Sequence, residues 1–268
     1  MSSKYVGKLF CMITGSSSGF GQSLAQTIVK EKGLLSNASS GSKIVLLSRN
    51  TLGMDNTVSS MKEMGHNMGK FDIEQLPIDL SNTSITESKL SDFLSKESKD
   101  FETFVLFNNA GVLGDITTDF PDRPVKDYEN WFNVNMVSPV FLITQLCKHF
   151  SESSRTIVQT SSIGVIRHMP CMSTYCSAKA GMDMFMKCIS ADHPDITTFS
   201  YSPGPMDTAM GNTLRLKHKI DSTRQHWEEL KANNTIVKPL DSAEKLCNIL
   251  QRGDFESGDF VDFNGRNE

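Results

Sequence analysis

Apolar runs of strand length alternate along the chain with stretches whose apolar residues recur at helical spacing. In order they are KLFCMIT (8–14), a helix over 23–30, KIVLLS (43–48), a helix near 57–64, EQLPIDL (74–80), a helix near 87–98 and TFVLFNN (103–109). The alternation resumes with a helix around 134–150, the strand TIVQTS (156–161), a helix over 175–190 and the strand ITTFSYS (196–202). The composition of these strands suits burial on both faces, as in parallel sheets covered by helices. The expected fold is α/β, a single-domain, Rossmann-type, doubly wound parallel sheet with helices on both faces, spanning 1–268.

Two segments break the alternation. LSNASSGS (35–42) is small and polar and reads as an extended surface loop inserted before the second strand. Residues 212–239 are polar and charged, with a helical patch at HWEELKA, and follow a Pro-Gly-Pro turn; they read as a mobile lid over a substrate. No internal repeat and no shift in composition marks a second domain.

The bulk numbers narrow the partners. With 268 residues, 38% hydrophobic and 22% charged, the chain has ample material for a core. A net charge of -4 offers no basic excess to displace counterions from nucleic acid. The first apolar run passes directly into a glycine turn, unlike a signal peptide, and no stretch approaches the ~20 apolar residues of a membrane span, so a cytoplasmic protein is expected. Six cysteines stand singly without CxxC spacing, which points to reduced thiols and no metal site.

Candidate chemistry clusters at the carboxyl ends of the predicted strands. After the first strand, Gly15, Ser16, Ser17, Ser18, Gly19, Phe20 and Gly21 form a glycine turn opening a helix, where backbone N–H groups can meet a pyrophosphate. The second strand ends in Ser48, Arg49 and Asn50, where an NAD site would carry Asp or Glu. A guanidinium there suits the 2′-phosphate of NADP(H), unless Arg49 is only a solvated strand end. Asp79 and Leu80 would flank the adenine, with a turn-capping Asp the plainer reading. Asn109, Ala110 and Gly111 follow the fourth strand and would let the cofactor pass close to backbone, or else cap a helix.

Ser162 follows TIVQTS, and Tyr175 and Lys179 share one face of the next helix. An ammonium beside a phenol lowers the phenol pKa from about 10, and the Ser162 hydroxyl can hold a carbonyl oxygen as charge builds on it. A YxxxK pair alone is common on exposed helices. Together with the serine and the glycine turn it predicts a carbonyl-reducing enzyme with Tyr175 as proton donor.

These residues, in this order, resemble the short-chain dehydrogenase/reductase family over essentially the whole chain. The resemblance implies that Asn135, in NVNMVS, supports a proton relay through water and that Lys179 also holds the nicotinamide ribose. It implies a homodimer with the helix bearing Met182, Met184 and Met186 at the interface, although packing is the plainer reading of these methionines. GSSSGFG, FNNAGVLGD, SYSPGPMDTAM, ELKANNTIV and ESGDFVDF bring it closer to the sepiapterin reductase branch of that family. That likeness implies a pterin substrate anchored by Asp262, with Gly204 beside the substrate. It further implies that Met206, Asp207, Thr208, Ala209, Met210 and Gly211 line the cofactor. Read without it, Asp262 is a surface or turn carboxylate, and 206–211 is a loop entering a helix. The branch commonly has Arg where this chain has Ser18, so the NADP expectation rests on Arg49. His168 and Cys171 are expected near the pocket, as wall or loop.

The resulting expectation is NADPH-dependent reduction of a pterin side-chain carbonyl, leading to tetrahydrobiopterin or a close relative. A reductase of other small ketones or diketones, and a cofactor-binding scaffold without turnover, are the alternatives.

Overall fold

The protein is described by a computed structural model covering residues 4–118 and 120–265. Its single sheet has the strand order β3-β2-β1-β4-β5-β6-β7, and every neighbouring pair is parallel. The strands are β1 (Leu9–Thr14), β2 (Ser42–Ser48), β3 (Phe71–Pro77), β4 (Thr103–Asn108), β5 (Ser154–Thr160), β6 (Ile196–Ser202) and β7 (Asp259–Asp262). The helices are α1 (Gly19–Ile28), α2 (Thr51–Met64), α3 (Thr83–Lys96), α4 (Val125–Phe132), α5 (Ser138–His149), α6 (Ser173–Asp192), α7 (Ala209–Lys217), α8 (Asp221–Ala232) and α9 (Pro239–Arg252). This is the expected single doubly wound α/β domain. The chain leaves β1 toward β2 and returns to β4 on β1's other side, so connections diverge between β1 and β4 and open a crevice at their carboxyl ends.

The side chains of β1 alternate between two cores. Leu9, Cys11 and Ile13 join Leu24, Ile28, Leu246 and Leu250 on the α1 and α9 side. Phe10 and Met12 join Leu90, Leu142, Leu146, Met182 and Met186 beneath α3, α5 and α6. Burial on both faces explains the unbroken apolar run. α6 shows the complementary helical rule: Met182 and Met186 are fully buried, while Met184 is 60% exposed on the opposite face.

Several boundaries differ from those expected. α2 starts at Thr51 because Asn50 caps it, its Oδ1 accepting from Gly53 N at 3.0 Å. Asn82 does the same for α3 through Ile85 N at 3.1 Å. These caps lie ahead of the apolar stripe that marks each helix in the sequence. β3 ends at Pro77, and Ile78 and Leu80 are buried as loop rather than strand. α4 buries only Trp131, and it runs through a π-helical turn (Asn133–Val137) into α5. β7 is only half buried, too short for a clear pattern, and exists because β6 offers it a partner.

The two irregular segments are also more structured than expected. In 35–42, Leu35, Ala38 and Ser42 are buried, Ala38 bridges Gly7, and the Ser42 hydroxyl accepts from Leu9 N at 2.9 Å. Residues 212–239 contain most of α7 and all of α8. Their connecting turn is pinned down, with His218 Nδ1 accepting from Ile220 N at 3.1 Å and Nε2 lying 3.1 Å from Pro170 O.

Phe10 is the aromatic centre of the second core, with ring centroids 4.5 Å from Phe150, 5.4 Å from Phe101, 6.1 Å from Phe104 and 6.3 Å from Phe93. Phe10→Ala removes a fully buried ring from this cluster and is expected to cost about 3–5 kcal/mol, read as a lowered midpoint in urea unfolding.

Candidate active site

The crevice between β1 and β4 is a cleft of about 1130 Å³ that runs from Arg49 and Asp79 at one end to Asp262 and Trp227 at the other. The glycine turn forms its floor. Gly15 has φ +67°, and a Cβ there would stand 2.9 Å from Ala110 Cα; a Cβ on Gly21 would lie 2.3 Å from Gly15 O. Only glycine allows this approach of β1, α1 and the β4 loop. Ser18 begins α1 in extended conformation with no side-chain capping bond, which leaves first-turn N–H groups directed to the cleft.

Two residues of this turn serve structure instead. Ser16 is fully buried, and its O accepts from Thr57 Oγ1 at 2.9 Å. Gly21 packs behind Gly15. Gly15, Ser17, Ser18, Gly19 and Phe20 line the cleft.

Thr14, absent from the sequence-derived residues, ties the turn to β4. Its buried hydroxyl accepts from Asn109 N and Ala110 N, both at 2.9 Å, and Asn109 Nδ2 donates back to Thr14 O at 2.9 Å. A threonine ending an apolar strand gives no signal of this in one dimension. Asn109, Ala110 and Gly111 line the cleft.

At the far end of the turn, the Ser17 and Ser48 hydroxyls are 2.8 Å apart beside the exposed Arg49, whose Nη1 lies 3.8 Å from Asp79 Oδ1. Asp79 accepts from Ser81 N at 3.0 Å and Ser81 Oγ at 2.9 Å. Partial burial pushes the Asp79 carboxyl up, but these bonds and Arg49 bring it below its ordinary value. Asp79 is thus both a turn cap and, with Leu80, part of the cleft wall. Asn50 does not reach the cleft, because its side chain is used as the α2 cap.

Ser162, Tyr175 and Lys179 converge at mid-cleft. Ser162 Oγ accepts from Gly164 N at 3.1 Å, and its hydroxyl faces the Tyr175 phenol closely enough to favour the phenolate. Lys179 Nζ donates to Thr160 O at 2.7 Å and stands 5.9 Å from the Tyr175 ring centroid. The expected lowering of the Tyr175 pKa is not found in the protein alone. Burial pushes the phenol up to about 12, which the nearby Ser162 hydroxyl only partly offsets. Burial also lowers Lys179 to about 8, against the pull of the Asp183 carboxylate. Desolvation outweighs the ammonium because Lys179 turns toward Thr160 rather than bonding the phenol. At neutral pH Tyr175 is therefore a protonated phenol, the form that can give a proton.

Asn135 is buried in the π turn and does not line the cleft. Its Oδ1 accepts from Val112 N at 3.0 Å, while Nδ2 donates to Val112 O at 3.1 Å and Trp131 O at 3.0 Å. Those bonds set the loop after Gly111, where a Cβ would lie 3.0 Å from Asn135 Oδ1 and 3.5 Å from Lys179 Nζ.

The other end of the cleft is largely apolar, walled by Met169, Met172, Leu214, Trp227 and Leu230. These residues carry no joint signal in the sequence because three separate segments contribute them. Asp262 is only 2% exposed, its Oδ2 accepting from Ser202 Oγ at 2.7 Å and Oδ1 from Asn264 N at 2.9 Å. The β6–β7 register places it beside Ser202 at the sheet's carboxyl edge. Gly204 borders the cleft at φ +82°, and a Cβ there would meet Val237 Cγ2 at 3.1 Å. Met206, Asp207, Thr208, Ala209, Met210 and Gly211 line the same wall, Thr208 capping α7 through Gly211 N at 3.2 Å. His168 and Cys171 do not line it; Cys171 O accepts from Arg123 Nη2 at 3.0 Å instead.

The pattern of the short chain dehydrogenase family matches residues 10–219. The chain belongs to that family, and it is an oxidoreductase. A sepiapterin reductase from Bos taurus is 32% identical over 96% of this chain and 95% of its own length. A benzil reductase, (S)-benzoin forming, from Bacillus subtilis is 28% identical over 90% of this chain and 93% of its own. Among solved structures, the KRED1-Pglu enzyme shares the fold at a TM-score of 0.77 and 19% identity, covering 95% of this chain and 100% of that one.

Thr14→Val leaves two partly buried N–H groups without their acceptor and is expected to cost about 1–3 kcal/mol in urea unfolding, with Thr14→Ser largely restoring stability. Equal stability of Thr14→Val and the parent would show that the hydroxyl bonds contribute nothing.

Proposed function

We propose that this protein uses NADPH to reduce a side-chain carbonyl of a pterin, with Tyr175 as the proton donor. The observation that carries this reading is the pairing, within one cleft, of a protonated Tyr175 beside Ser162 with a buried carboxylate, Asp262, across an apolar pocket. The overall likeness to a sepiapterin reductase supports the substrate class.

The residues present suit a phosphorylated dinucleotide. First-turn N–H groups of α1 would hold the pyrophosphate, Arg49 with Ser17 and Ser48 the 2′-phosphate, and Lys179 the nicotinamide ribose. When bound, NADPH supplies hydride to the carbonyl carbon. Ser162 donates a hydrogen bond to the carbonyl oxygen and holds it toward Tyr175, which transfers its phenolic proton as the oxygen gains charge. The nearby Lys179 ammonium stabilises the phenolate left behind. Asn135 supports the relay from beneath by fixing the loop at Gly111 and Val112. Asp262 accepts N–H bonds from the amino-pyrimidine ring, and α7 with α8 forms the lid.

Two wider expectations go with this reading. The protein works as a homodimer through the face carrying exposed Met184 and Val137. It acts in the cytoplasm, in keeping with six free cysteines and the lack, among the described residues, of any helix long and apolar enough to cross a membrane. A second reading, reduction of small diketones, is favoured by the likeness to a benzil reductase and by the apolar wall of Met169, Met172 and Trp227.

NADPH oxidation measured with sepiapterin and with a simple diketone separates the two. Tyr175→Phe is expected to lower both rates by about 100-fold or more. Asp262→Ala is expected to lower kcat/KM for sepiapterin at least tenfold while sparing the diketone; equal losses would favour the diketone reading. Arg49→Ala should raise KM for NADPH far more than for NADH, and an equal change would remove Arg49 from 2′-phosphate recognition.

A further inference from the structure

The buried face of α6 carries another ionisable group, which has no part in the chemistry described so far. Asp183 lies one helical turn beyond Lys179 and two beyond Tyr175, and is only 6% exposed. Each of its oxygens has a hydroxyl donor: Ser161 Oγ to Oδ2 at 2.6 Å and Ser200 Oγ to Oδ1 at 3.0 Å. Ser161 immediately precedes Ser162, and its N–H bonds to Tyr201 O at 2.8 Å. The carboxylate is thus fastened beneath the ends of β5 and β6 from which the site emerges. Burial pushes the Asp183 carboxyl up, and the two serine bonds with the Lys179 and Lys187 charges pull it back toward the ionised form.

Such a charge is costly to bury without a partner. Lys187 lies one turn further along α6, and Lys179 one turn back. Lys179 itself bonds only a neutral carbonyl, Thr160 O, and has no carboxylate within ion-pair distance among the described residues. The titratable groups around the pair on α6 are Tyr175, Cys176 and Lys187. β5 and β6 present hydroxyls and carbonyls, and the π turn presents the neutral Asn135.

We propose that Asp183 is the counter-charge that keeps Lys179 an ammonium inside the buried site, and so sets the upper pH at which the enzyme works. It acts through Lys179 and touches neither substrate nor cofactor. The proposal rests on the reading of Lys179 and Tyr175 as the working pair. The sign follows from the surroundings: burial lowers Lys179 to about 8, and Asp183 opposes that fall. Removing the negative charge lets Lys179 lose its proton at lower pH.

The test compares the full-length protein with Asp183→Asn and Asp183→Glu, using pH profiles of kcat/KM, NADPH binding by fluorescence, and Tm. Asp183→Asn keeps the size of the side chain and can still bond both serines. Its alkaline limb is expected to move down by about one pH unit, a roughly tenfold loss on the limb with little change near pH 6. NADPH binding should weaken over the same range, and Asp183→Glu should restore most of the limb. Should Asp183→Asn not fold, Asp183→Ser makes the same comparison. A lower Tm with an unmoved limb would overturn the proposal and leave Asp183 a packing residue. Tyr175→Phe is measured alongside: if it retains full turnover, the reading of the site itself fails, whereas an inactive Tyr175→Phe with an unmoved Asp183→Asn limb sinks this inference alone.

Discussion

The hydroxyl of Thr14 is the interaction on which the rest of the site depends. It accepts two backbone N–H groups from the loop after β4 and so brings that loop against the glycine turn after β1. The contact is close enough that Gly15 and Gly21 have no room for a Cβ. The cleft lies where connections from these two central strands part, and its floor is set by bonds to the buried Thr14 hydroxyl. A parallel sheet leaves its carboxyl ends with unpaired groups; here a single threonine satisfies two of them and orders the binding edge.

The working residues sit on a rigid frame whose main electrostatic feature is dryness. Tyr175 and Lys179 are both nearly buried, and burial moves each toward its neutral form. On the proposed function this is favourable at Tyr175, the proposed proton donor, and unfavourable at Lys179, whose proposed role needs its charge. The tension between the two needs places a premium on any fixed negative charge near Lys179 that does not compete for the phenol. Asp183, held one turn away by two serines, meets that condition, whereas a carboxylate in direct contact would draw the ammonium from Thr160.

The two ends of the cleft differ in polarity. Hydroxyls, backbone N–H groups and Arg49 make one end polar and suited to phosphate. The other is apolar, with Asp262 as a buried acceptor, which suits a flat ring bearing N–H donors. α7 and α8 complete the second end, and the turn between them is held through His218 and Pro170.

Much of this was legible in one dimension, because strand burial and catalytic spacing are local. Unbroken apolar runs revealed the central strands, and the i, i+4 relation put Tyr175 and Lys179 on one face. Glycine spacing marked the turn because backbone approach requires residues without Cβ. The fold class and family membership follow from these features. What stayed hidden depends on residues that meet only after folding. Thr14 looks like the last residue of a strand until β4 arrives beside it, and Asp183 like any helical acid until β5 and β6 bring two serines to it. β7 is strand only because β6 is there to pair with it. The sign of the Tyr175 shift was also beyond reach, since spacing reveals the neighbouring ammonium but not the water excluded around both groups. Sequence by itself determined the fold class and the family; tertiary structure decided which groups are dry, which hydrogen bonds they have already formed, and hence which protons they hold.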